Sequence, residues 1–587
     1  MDGTTVRGDE VEFRLWAPAA HRVELRLERI GSDPEMIEMR RLGSADFGLP
    51  DFDLPDTNTW EASGVRARAG DHYSYIVDGS KPLPDPVSRL LPEGVHGCTE
   101  IVDPNRFTWT DTTWHGLDIR DYVLYELHIG TFTAEGTFDA AIMHLPYLRD
   151  LGVTAIEVMP VNAFPGRHNW GYDGVGLYAV QSNYGGPEGF RRFVDAAHQH
   201  GLAVVLDVVY NHLGNEGNYL RNLGPYFTAK HQTPWGEAVN FDDEGSQGVR
   251  RFFVNNALYW LREYHLDGLR LDAVHTIKDD SKLHIVAEIQ NQAEALARES
   301  GRTICIIAET DENDPRYVLP PEKNGYGLAG IWSDDFHHAV HAYITGEDKG
   351  YYRDFGAREQ ITKALNEGFV FQGEFFKYWN DVRGSSPEGV PMQAHVINLQ
   401  NHDQVGNRAL GERITALMPR GARFLTAALL LLAPHTPLIF MGQEYDEKAP
   451  FQFFTDYGDP VLQHAVSEGR RKEFAEFDWK DVPDPQDHAT FERSRLRWDQ
   501  SRESVEMLSW YRDLLRLRRE FVTHAERDCC AEWAGANTLF MRVPDRSARL
   551  LVVARFGGQN AWAPGKTWRE ALAHDEDGYA VKVYVRA

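Results

Sequence analysis

The feature that most constrains the fold is an alternation of short apolar runs with amphipathic segments from Asp121 to about Lys480. Eight apolar runs have the length of buried strands, and amphipathic segments such as 189–200 and 249–264 separate most of them. Parallel strands need a crossover connection, usually a helix, so this order predicts a parallel sheet. Eight such units favour a closed (β/α)8 TIM barrel over an open sheet. The predicted strands are 122–127, 155–159, 203–209, 268–271, 303–308, 330–332, 396–399 and 437–441.

Regions with a different pattern lie on either side of this alternation. From Val11 to Val102, short runs alternate polar and apolar residues between turns, which is typical of half-buried strands in a small β-sandwich. After residue 504, a helical run at 507–519 precedes strand-like pieces near 538–542, 549–554 and 579–584. We therefore predict an α/β protein of three parts: an N-terminal β-sandwich at 1–110, a catalytic barrel at 111–500 and a small C-terminal β-domain at 501–587.

Composition excludes several classes of protein. The 587 residues carry 61 Lys and Arg against 88 Asp and Glu, and the net charge of −27 argues against a nucleic-acid partner. Four cysteines, at positions 98, 305, 529 and 530, are too few for a disulfide scaffold and have no zinc-site spacing.

Nothing in the pattern predicts a membrane protein. The chain starts without a basic stretch followed by an apolar one, so we predict no secretory signal. The most apolar segment, 424–440, is short for a membrane span and interrupted by prolines, so it favours a buried helix followed by a strand. We expect a soluble, cytoplasmic protein without a membrane partner.

Four of the predicted strands end in polar, chemistry-bearing residues. The segments are DVVYNH at 207–212, GLRLDAVH at 268–275, AETD at 308–311 and QNHDQ at 400–404. A single acidic residue after a strand is usually a helix cap or a solvated loop residue. In a barrel, however, the carboxyl ends of all strands meet at one mouth, where catalytic groups lie. Alternation also places Arg270 on the same face as Asp272, where a guanidinium can hold a carboxylate ionised.

Together and in this order, the four segments resemble the short conserved regions of the α-amylase superfamily of retaining glycoside hydrolases. The resemblance covers the barrel, and the N-terminal part is similar to a starch-binding-type module of that superfamily. It implies that Asp272 is the nucleophile, Glu309 the general acid and base, and Asp403 a third carboxylate that grips sugar hydroxyls. Hydrolysis with retention needs a pair of carboxyl groups, with one on each side of the scissile bond.

The resemblance also implies a set of substrate-binding residues. The segment RHNWGYD at 167–173 matches the position where a tyrosine supports the reacting glucose, so Tyr172 is the expected platform. An aromatic ring covers the apolar face of a sugar while polar groups bind its hydroxyls. The full expected set is Arg270, His212, His402, Tyr172, Trp170 and Asp207.

Finer similarity indicates a particular reaction within the superfamily. The strings ENDPR at 312–316 and NHDQVGNR at 401–408 resemble the trehalose-releasing hydrolases of the superfamily, which cut the α-1,4 bond beside the terminal trehalose of maltooligosyltrehalose. Two alternatives stay open. A glycogen branching enzyme shares the carboxylate chemistry but lets a sugar intercept the covalent intermediate, and a glucan-binding protein would have lost catalysis altogether.

The expected partners and cofactors follow from the same reading. Maltooligosyltrehalose and related α-glucans are the expected substrates, and a maltooligosyltrehalose synthase is the expected functional partner. We expect no cofactor and no metal for the chemistry. The resemblance implies a calcium site near Asn211, but the short insertion at 213–248 offers no convincing set of oxygen ligands for it.

Overall fold

The computed structural model describes residues 3–43, 58–473, 482–498, 501–523, 528–544, 547–558, 564–565 and 567–586. Two predicted boundaries, the end of the barrel pattern near Lys480 and the domain boundary at residue 500, lie outside these residues. All other predicted elements fall largely or wholly within them.

The centre of the molecule is a closed barrel of eight parallel strands that neighbour one another in chain order. This confirms the predicted TIM barrel, and every strand begins and ends within two residues of its predicted position. Barrel strands one to eight are Leu124–Leu127, Ala155–Val158, Ala203–Val208, Gly268–Leu271, Cys305–Ala308, Gly330–Trp332, His395–Asn398 and Thr436–Phe440. All the residues in these eight strands are buried, because helices cover the outer face of the barrel.

Helices connect the strands and surround the barrel. The predicted amphipathic segments 189–200 and 249–264 form the helices Gly186–Gln199 and Ser246–Glu263. The other helices that flank the barrel strands are Phe138–Ile142, Leu145–Leu151, Ile285–Ser300, Asp335–Thr345, Arg358–Glu367 and Arg420–Leu432. Further α-helices are Ile129–Phe132, His402–Gly406, Ile414–Leu417, Pro460–Glu473 and His488–Arg493. Single 3-10 turns are Pro104–Arg106, Ile119–Asp121, Ser182–Tyr184, Leu220–Asn222, Val274–Thr276, Pro315–Tyr317, Pro321–Lys323, Gly350–Asp354, Met392–Ala394 and Gln443–Tyr445.

Two antiparallel sheets form the N-terminal part, as predicted. One sheet has the strand order Gly3–Arg7, Glu10–Trp16, Thr59–Arg66 and Arg40–Arg41, and the other Glu35–Glu38, Val23–Glu28, His72–Val77 and Thr99–Glu100. Their apolar faces meet in a shared core, where the rings of Phe13 and Tyr73 make an edge contact at 5.0 Å between centroids. Alternation of buried and partly exposed residues along the strands is the pattern of a β-sandwich.

The described residues of the C-terminal part form a helix and a five-stranded antiparallel sheet. Its strands lie in the order Cys530–Ala534, Thr538–Val543, Leu550–Phe556, Tyr579–Val585 and Arg569–Glu576; the first and last of these were not predicted. The helix Arg502–Phe521 packs against the barrel helix Arg420–Leu432. There the buried Arg518 donates to the carbonyls of Leu431, Ala433 and His435, which satisfies the open end of that helix.

The predicted fate of the apolar segment 424–440 is confirmed, because it forms the end of one helix and barrel strand eight. In the described part of the chain, no helix has the length and apolar composition to cross a bilayer.

Among the described residues, three small hairpins extend the loops of the barrel. They are Asn162–Ala163 with Gly176–Val180, Phe227–Thr233 with Gly236–Val239, and Glu374–Phe376 with Asp381–Arg383. The second lies within the short insertion after strand three. The third precedes barrel strand seven, and we call it the aromatic hairpin because Phe376, Tyr378 and Trp379 belong to it.

Candidate active site

A buried arginine lies at the centre of the barrel mouth. Arg270 is on barrel strand four, and its Nη1 lies 2.8 Å from Asp207 Oδ2 and 2.8 Å from Asp272 Oδ1. Its Nη2 lies 3.6 Å from Glu309 Oε2. The guanidinium is 4.3 Å from the centre of the Trp332 ring, on strand six. One cation therefore joins three carboxyl groups from three neighbouring strands.

Asp272 and Glu309 are the first residues after strands four and five. Glu309 Oε2 accepts a hydrogen bond of 2.6 Å from the backbone N–H of Ala273. Ala273 has a φ of +39°, a left-handed conformation that is costly for a residue with a side chain. This turn aims the N–H at Glu309 and so ties the two catalytic candidates together. Both carboxyl side chains are mostly buried, at 13% exposed for Asp272 and 14% for Glu309.

The surroundings of Glu309 favour its neutral form. Burial raises the pKa of Glu309 well above its ordinary value, and the charges of Asp272, Asp403 and Asp334 raise it further. Arg270 acts in the opposite direction but does not outweigh them. A carboxyl group that keeps its proton at neutral pH can serve as a general acid.

Tyr172, after strand two, connects the two sides of the mouth. Its hydroxyl lies 2.6 Å from Asp207 Oδ2 and 2.7 Å from His402 Nε2. Its ring stacks on the imidazole of His402, with 5.1 Å between centroids and 19° between planes. Asp207 is buried and accepts hydrogen bonds from Arg270 and Tyr172.

His212 follows strand three and lies at the edge of the site. Its Nε2 is 3.0 Å from the backbone carbonyl oxygen of Tyr172. The ring of Trp235, from the hairpin in the short insertion, lies flat on His212 with 4.2 Å between centroids. Trp235 is 48% exposed, so about half of its surface stays open to solvent.

Asp403 is the most accessible of the three predicted catalytic carboxylates, with 43% of its side chain exposed. It lies in the short helix after strand seven, which begins with Asn401 as a side-chain cap. Its Oδ2 is 3.4 Å from His402 Nε2, and its Oδ1 accepts a hydrogen bond from Asn407.

Trp170 lies behind the site rather than in its opening. It is 4% exposed, stacks on Phe451 with 5.2 Å between centroids, and donates its indole N–H to the carbonyl of Gln452. Its ring meets the edge of His402 at 5.6 Å. Trp170 therefore contacts the site residue His402, but it has little exposed surface on which a sugar could bind.

Sequence reasoning missed two acidic residues at the site. Glu126, within strand one, bonds to His402, and Asp334 follows strand six and accepts a hydrogen bond from Gln404. Burial, together with the charge of Asp403, raises the pKa of Asp334 to about 6. A signal existed for each: Glu126 is a charge inside an apolar strand, and Asp334 lies just beyond a strand end, like Asp272 and Glu309.

A cavity of about 300 Å³ opens beside Asp403. The aromatic hairpin covers one side of it, and acidic and amide side chains form much of the rest. Its lining is Asp311, Asp334, His338, Tyr351, Phe376, Tyr378, Trp379, Arg383, Asp403, Gln404 and Asn407. Flat rings beside hydrogen-bonding groups are suited to a sugar.

One group of side chains among the described residues has the spacing for a metal ion. It consists of His231, Asp242 and Asp280, in and near the short insertion. The ammonium of Lys230 lies 2.8 Å from Asp242 Oδ2 and 3.4 Å from Asp280 Oδ2, so a positive charge already neutralises these carboxylates. This arrangement does not favour a metal.

Comparison with known proteins identifies the family. The model of the alpha amylase catalytic domain matches residues 101–234. The malto-oligosyltrehalose trehalohydrolase of Saccharolobus solfataricus is 45% identical over 524 residues, which is 89% of this chain and 88% of that protein. A crystal structure of a Salmonella typhimurium protein provisionally assigned as an alpha amylase is 38% identical, with a TM-score of 0.88 over 100% of this chain and 99% of that one.

A branching enzyme, the predicted alternative, is more distant. The 1,4-alpha-glucan branching enzyme of Corynebacterium jeikeium is 28% identical over 490 residues, covering 76% of this chain and 62% of that enzyme. The predicted resemblance to the trehalose-releasing glycoside hydrolases is therefore confirmed over the branching alternative. The chain belongs to the malto-oligosyltrehalose trehalohydrolase family of the α-amylase superfamily.

Proposed function

We propose that this enzyme hydrolyses the α-1,4 bond next to the terminal trehalose of maltooligosyltrehalose, with retention at the anomeric carbon. The products are trehalose and a shorter maltooligosaccharide. The observation that carries the proposal is the contact of Asp272 and Glu309 with the one guanidinium of Arg270, in a family whose members bear this activity in their name. Retaining hydrolysis needs two carboxyl groups about 5–5.5 Å apart, and two carboxyl groups that both lie beside one guanidinium are near each other.

In this proposal Asp272 is the nucleophile. Its carboxyl group, held 2.8 Å from the Arg270 guanidinium, attacks the anomeric carbon and forms a covalent glycosyl ester. Glu309 gives its proton to the glycosidic oxygen as that bond breaks, and trehalose leaves. The resulting Glu309 carboxylate then takes a proton from water, whose oxygen attacks the same carbon and releases Asp272.

We propose supporting roles for the remaining predicted residues. Asp403, open to the cavity, accepts hydrogen bonds from sugar hydroxyls and favours the distorted ring of the transition state. Tyr172 supports the reacting glucose, with His212 and His402 as hydrogen-bonding groups at its edge. Arg270 and Asp207 act from within the barrel by orienting Asp272 and Tyr172.

The cavity beside Asp403 is the proposed place of the trehalose unit. Asp311, two residues beyond the proposed acid Glu309, belongs to its lining, so the cavity lies on the side where the leaving group departs. The rings of the aromatic hairpin offer apolar surface for the two glucose units, and the acidic groups offer acceptors for their hydroxyls.

Two wider proposals concern the setting of the reaction. The substrate must come from a reaction that converts the reducing end of a maltooligosaccharide into a trehalose unit, so we infer functional pairing with a maltooligosyltrehalose synthase. A cytoplasmic location fits the acidic composition and the small number of cysteines.

We also propose the division of the chain into a starch-binding-type module at 1–110, a catalytic barrel at 111–500 with a short insertion at 213–248, and a C-terminal β-domain at 501–587. The positions of the sheets support it, since the N-terminal sheets span 3–100, the barrel strands 124–440 and the C-terminal sheet 530–585.

Incubation with maltooligosyltrehalose tests the activity. We expect free trehalose and a maltooligosaccharide whose newly formed end has the α configuration before mutarotation. New α-1,6 branch points without trehalose would instead identify a branching enzyme, and unchanged substrate would identify a glucan-binding protein.

A further inference from the structure

Glu126 is a buried acidic residue that the proposed chemistry does not use directly. It lies in barrel strand one, is 1% exposed, and uses both carboxyl oxygens to bind one residue. Its Oε2 accepts the backbone N–H of His402 at 3.0 Å, and its Oε1 lies 2.5 Å from His402 Nδ1. The carboxylate thus holds both the main chain and the ring of a histidine in the site.

The opposite nitrogen of His402 faces the substrate side. Its Nε2 lies 2.7 Å from the hydroxyl of Tyr172 and 3.4 Å from Asp403 Oδ2. Stacking on Tyr172 and the edge contact with Trp170 fix the plane of the ring. Rotation of the imidazole would therefore break contacts on both of its sides.

The hydrogen bonds of Tyr172 indicate which nitrogens of His402 carry protons. A tyrosine hydroxyl has a single proton, and here it points to Asp207 Oδ2 at 2.6 Å. Asp207 accepts N–H bonds from Arg270 on both oxygens and so acts as an acceptor. Because the Tyr172 proton is used there, His402 Nε2 must donate to the Tyr172 oxygen. His402 Nδ1 meanwhile donates to Glu126, so both ring nitrogens are protonated.

The charges around His402 are consistent with a cation. Burial by itself lowers the pKa of His402, but the carboxylates of Asp403 and Glu126 outweigh it and raise the pKa to about 9. The other titratable or charged groups that face the ring lie in strands two, three and four and in the segments that follow strands one and two. They are Glu157, Asp207, Arg270, His128 and Tyr172.

Glu157 offers a natural contrast to Glu126. It is in register with Glu126 on the neighbouring strand two and is equally buried, yet neither of its oxygens has a hydrogen-bond partner among the described residues. Burial and the charge of Glu126 raise the pKa of Glu157 well above its ordinary value, which favours its uncharged form. Of the two glutamates, Glu126 alone contacts His402 in the hydrogen bonds described.

We propose that Glu126 is a positioning residue for the hydrolysis, which keeps His402 doubly protonated and its Nε2–H directed at Tyr172 and Asp403. The cation then holds the sugar platform and offsets the charge of the third carboxylate. This inference rests on the proposed function for its catalytic meaning, whereas the protonation state itself can be measured without any substrate.

Nitrogen and carbon NMR of histidine-labelled enzyme tests the charge directly. The His402 signals are assigned as those lost in His402→Asn. We expect wild-type His402 to be doubly protonated from pH 6 to pH 8. A singly protonated ring in the wild type at pH 7 would overturn the proposal, whatever substrate the enzyme proves to use, and this measurement needs no variant of Glu126 to fold.

The Glu126→Gln variant tests the effect on catalysis, with Glu157→Gln as the matched control. We expect His402 of Glu126→Gln to lose one proton by pH 7.5 and kcat/KM to fall about 100-fold there, with partial recovery at pH 5.5. Glu157→Gln removes a carboxyl group that makes no hydrogen bond to His402, and it should leave both the His402 signal and the pH profile unchanged. An equal loss at all pH values with His402 still charged would mean that Glu126 is merely structural.

Discussion

The guanidinium of Arg270, on barrel strand four, lies 2.8 Å from Oδ1 of Asp272, the first residue after that strand. We predict that Asp272→Asn lowers trehalose release by at least about 10⁴-fold, because the amide cannot form the glycosyl ester. The side chain keeps its volume and can still accept from Arg270, so the free energy of unfolding should change by no more than about 2 kcal/mol. Product assays and urea unfolding measure the two effects.

The exposed Asp280→Asn provides a control for the same change in charge, since its side chain is 71% exposed. It should keep its activity. Near-normal turnover by Asp272→Asn would rule out the assignment of the nucleophile.

Glu309→Gln should separate proton donation from bond cleavage. On maltooligosyltrehalose we expect a loss of about 10³-fold, whereas substrates with good leaving groups need no proton and should retain much of their rate in the first step. In the wild type, the rate should fall as pH rises through the raised pKa of Glu309, because the acid form is lost. This alkaline limb should disappear in Glu309→Gln with the activated substrate.

Glu312→Gln, in the same loop, is the comparison for Glu309→Gln and should preserve the alkaline limb. Equal losses by Glu309→Gln on natural and activated substrates would count against an acid role.

Two aromatic residues of the hairpin allow a matched test of the trehalose site. Tyr378 lines the cavity and is 40% exposed, whereas Phe375 is 57% exposed and lies outside the lining. We predict that Tyr378→Ala raises KM for maltooligosyltrehalose about tenfold through lost ring contact, and that Phe375→Ala has little effect. Steady-state kinetics and trehalose product inhibition would report this difference. Similar KM values for both variants would place the trehalose elsewhere.

Two buried histidines, at the N-terminal ends of barrel strands seven and eight, predict that the stability of the fold is sensitive to acid. Burial lowers the pKa of His395 to about 4. It also lowers the pKa of His435 well below its ordinary value, and the centroids of the two rings are 6.1 Å apart. A histidine held neutral in the folded state contributes its full stability above the unfolded pKa near 6.5. That contribution is lost as pH falls toward the folded pKa, by about 1.4 kcal/mol for each pH unit.

Unfolding free energies measured from pH 7 to pH 4 check this expectation. His395→Leu should make their decline with falling pH shallower, because one buried titrating group is removed. His488→Leu, a change at a largely exposed histidine, should leave the slope as it is in the wild type. An unchanged slope in His395→Leu would contradict the prediction.

Local pattern was enough to predict most of the architecture. The barrel strands have short apolar runs because all their faces are buried, and helices between them are amphipathic because only one face packs. Such patterns depend only on residues that are near in the chain. Residues that follow a strand, such as Asp272 and Glu309, could therefore be located from the sequence alone. Two C-terminal strands, Cys530–Ala534 and Arg569–Glu576, were missed, because many of their residues remain partly exposed and carry little apolar signal.

The details of the site depended on contacts between distant parts of the chain. Glu126 reaches His402 across 276 positions, and the cavity joins the aromatic hairpin to the helix that bears Asp403. Trp170, adjacent to a predicted sugar platform in the chain, turns out to be buried behind it. Local sequence could indicate which residues end each strand, since periodicity is set by near neighbours. Which of them share a proton, a cation or a cavity was decided only when closure of the barrel brought the strands together.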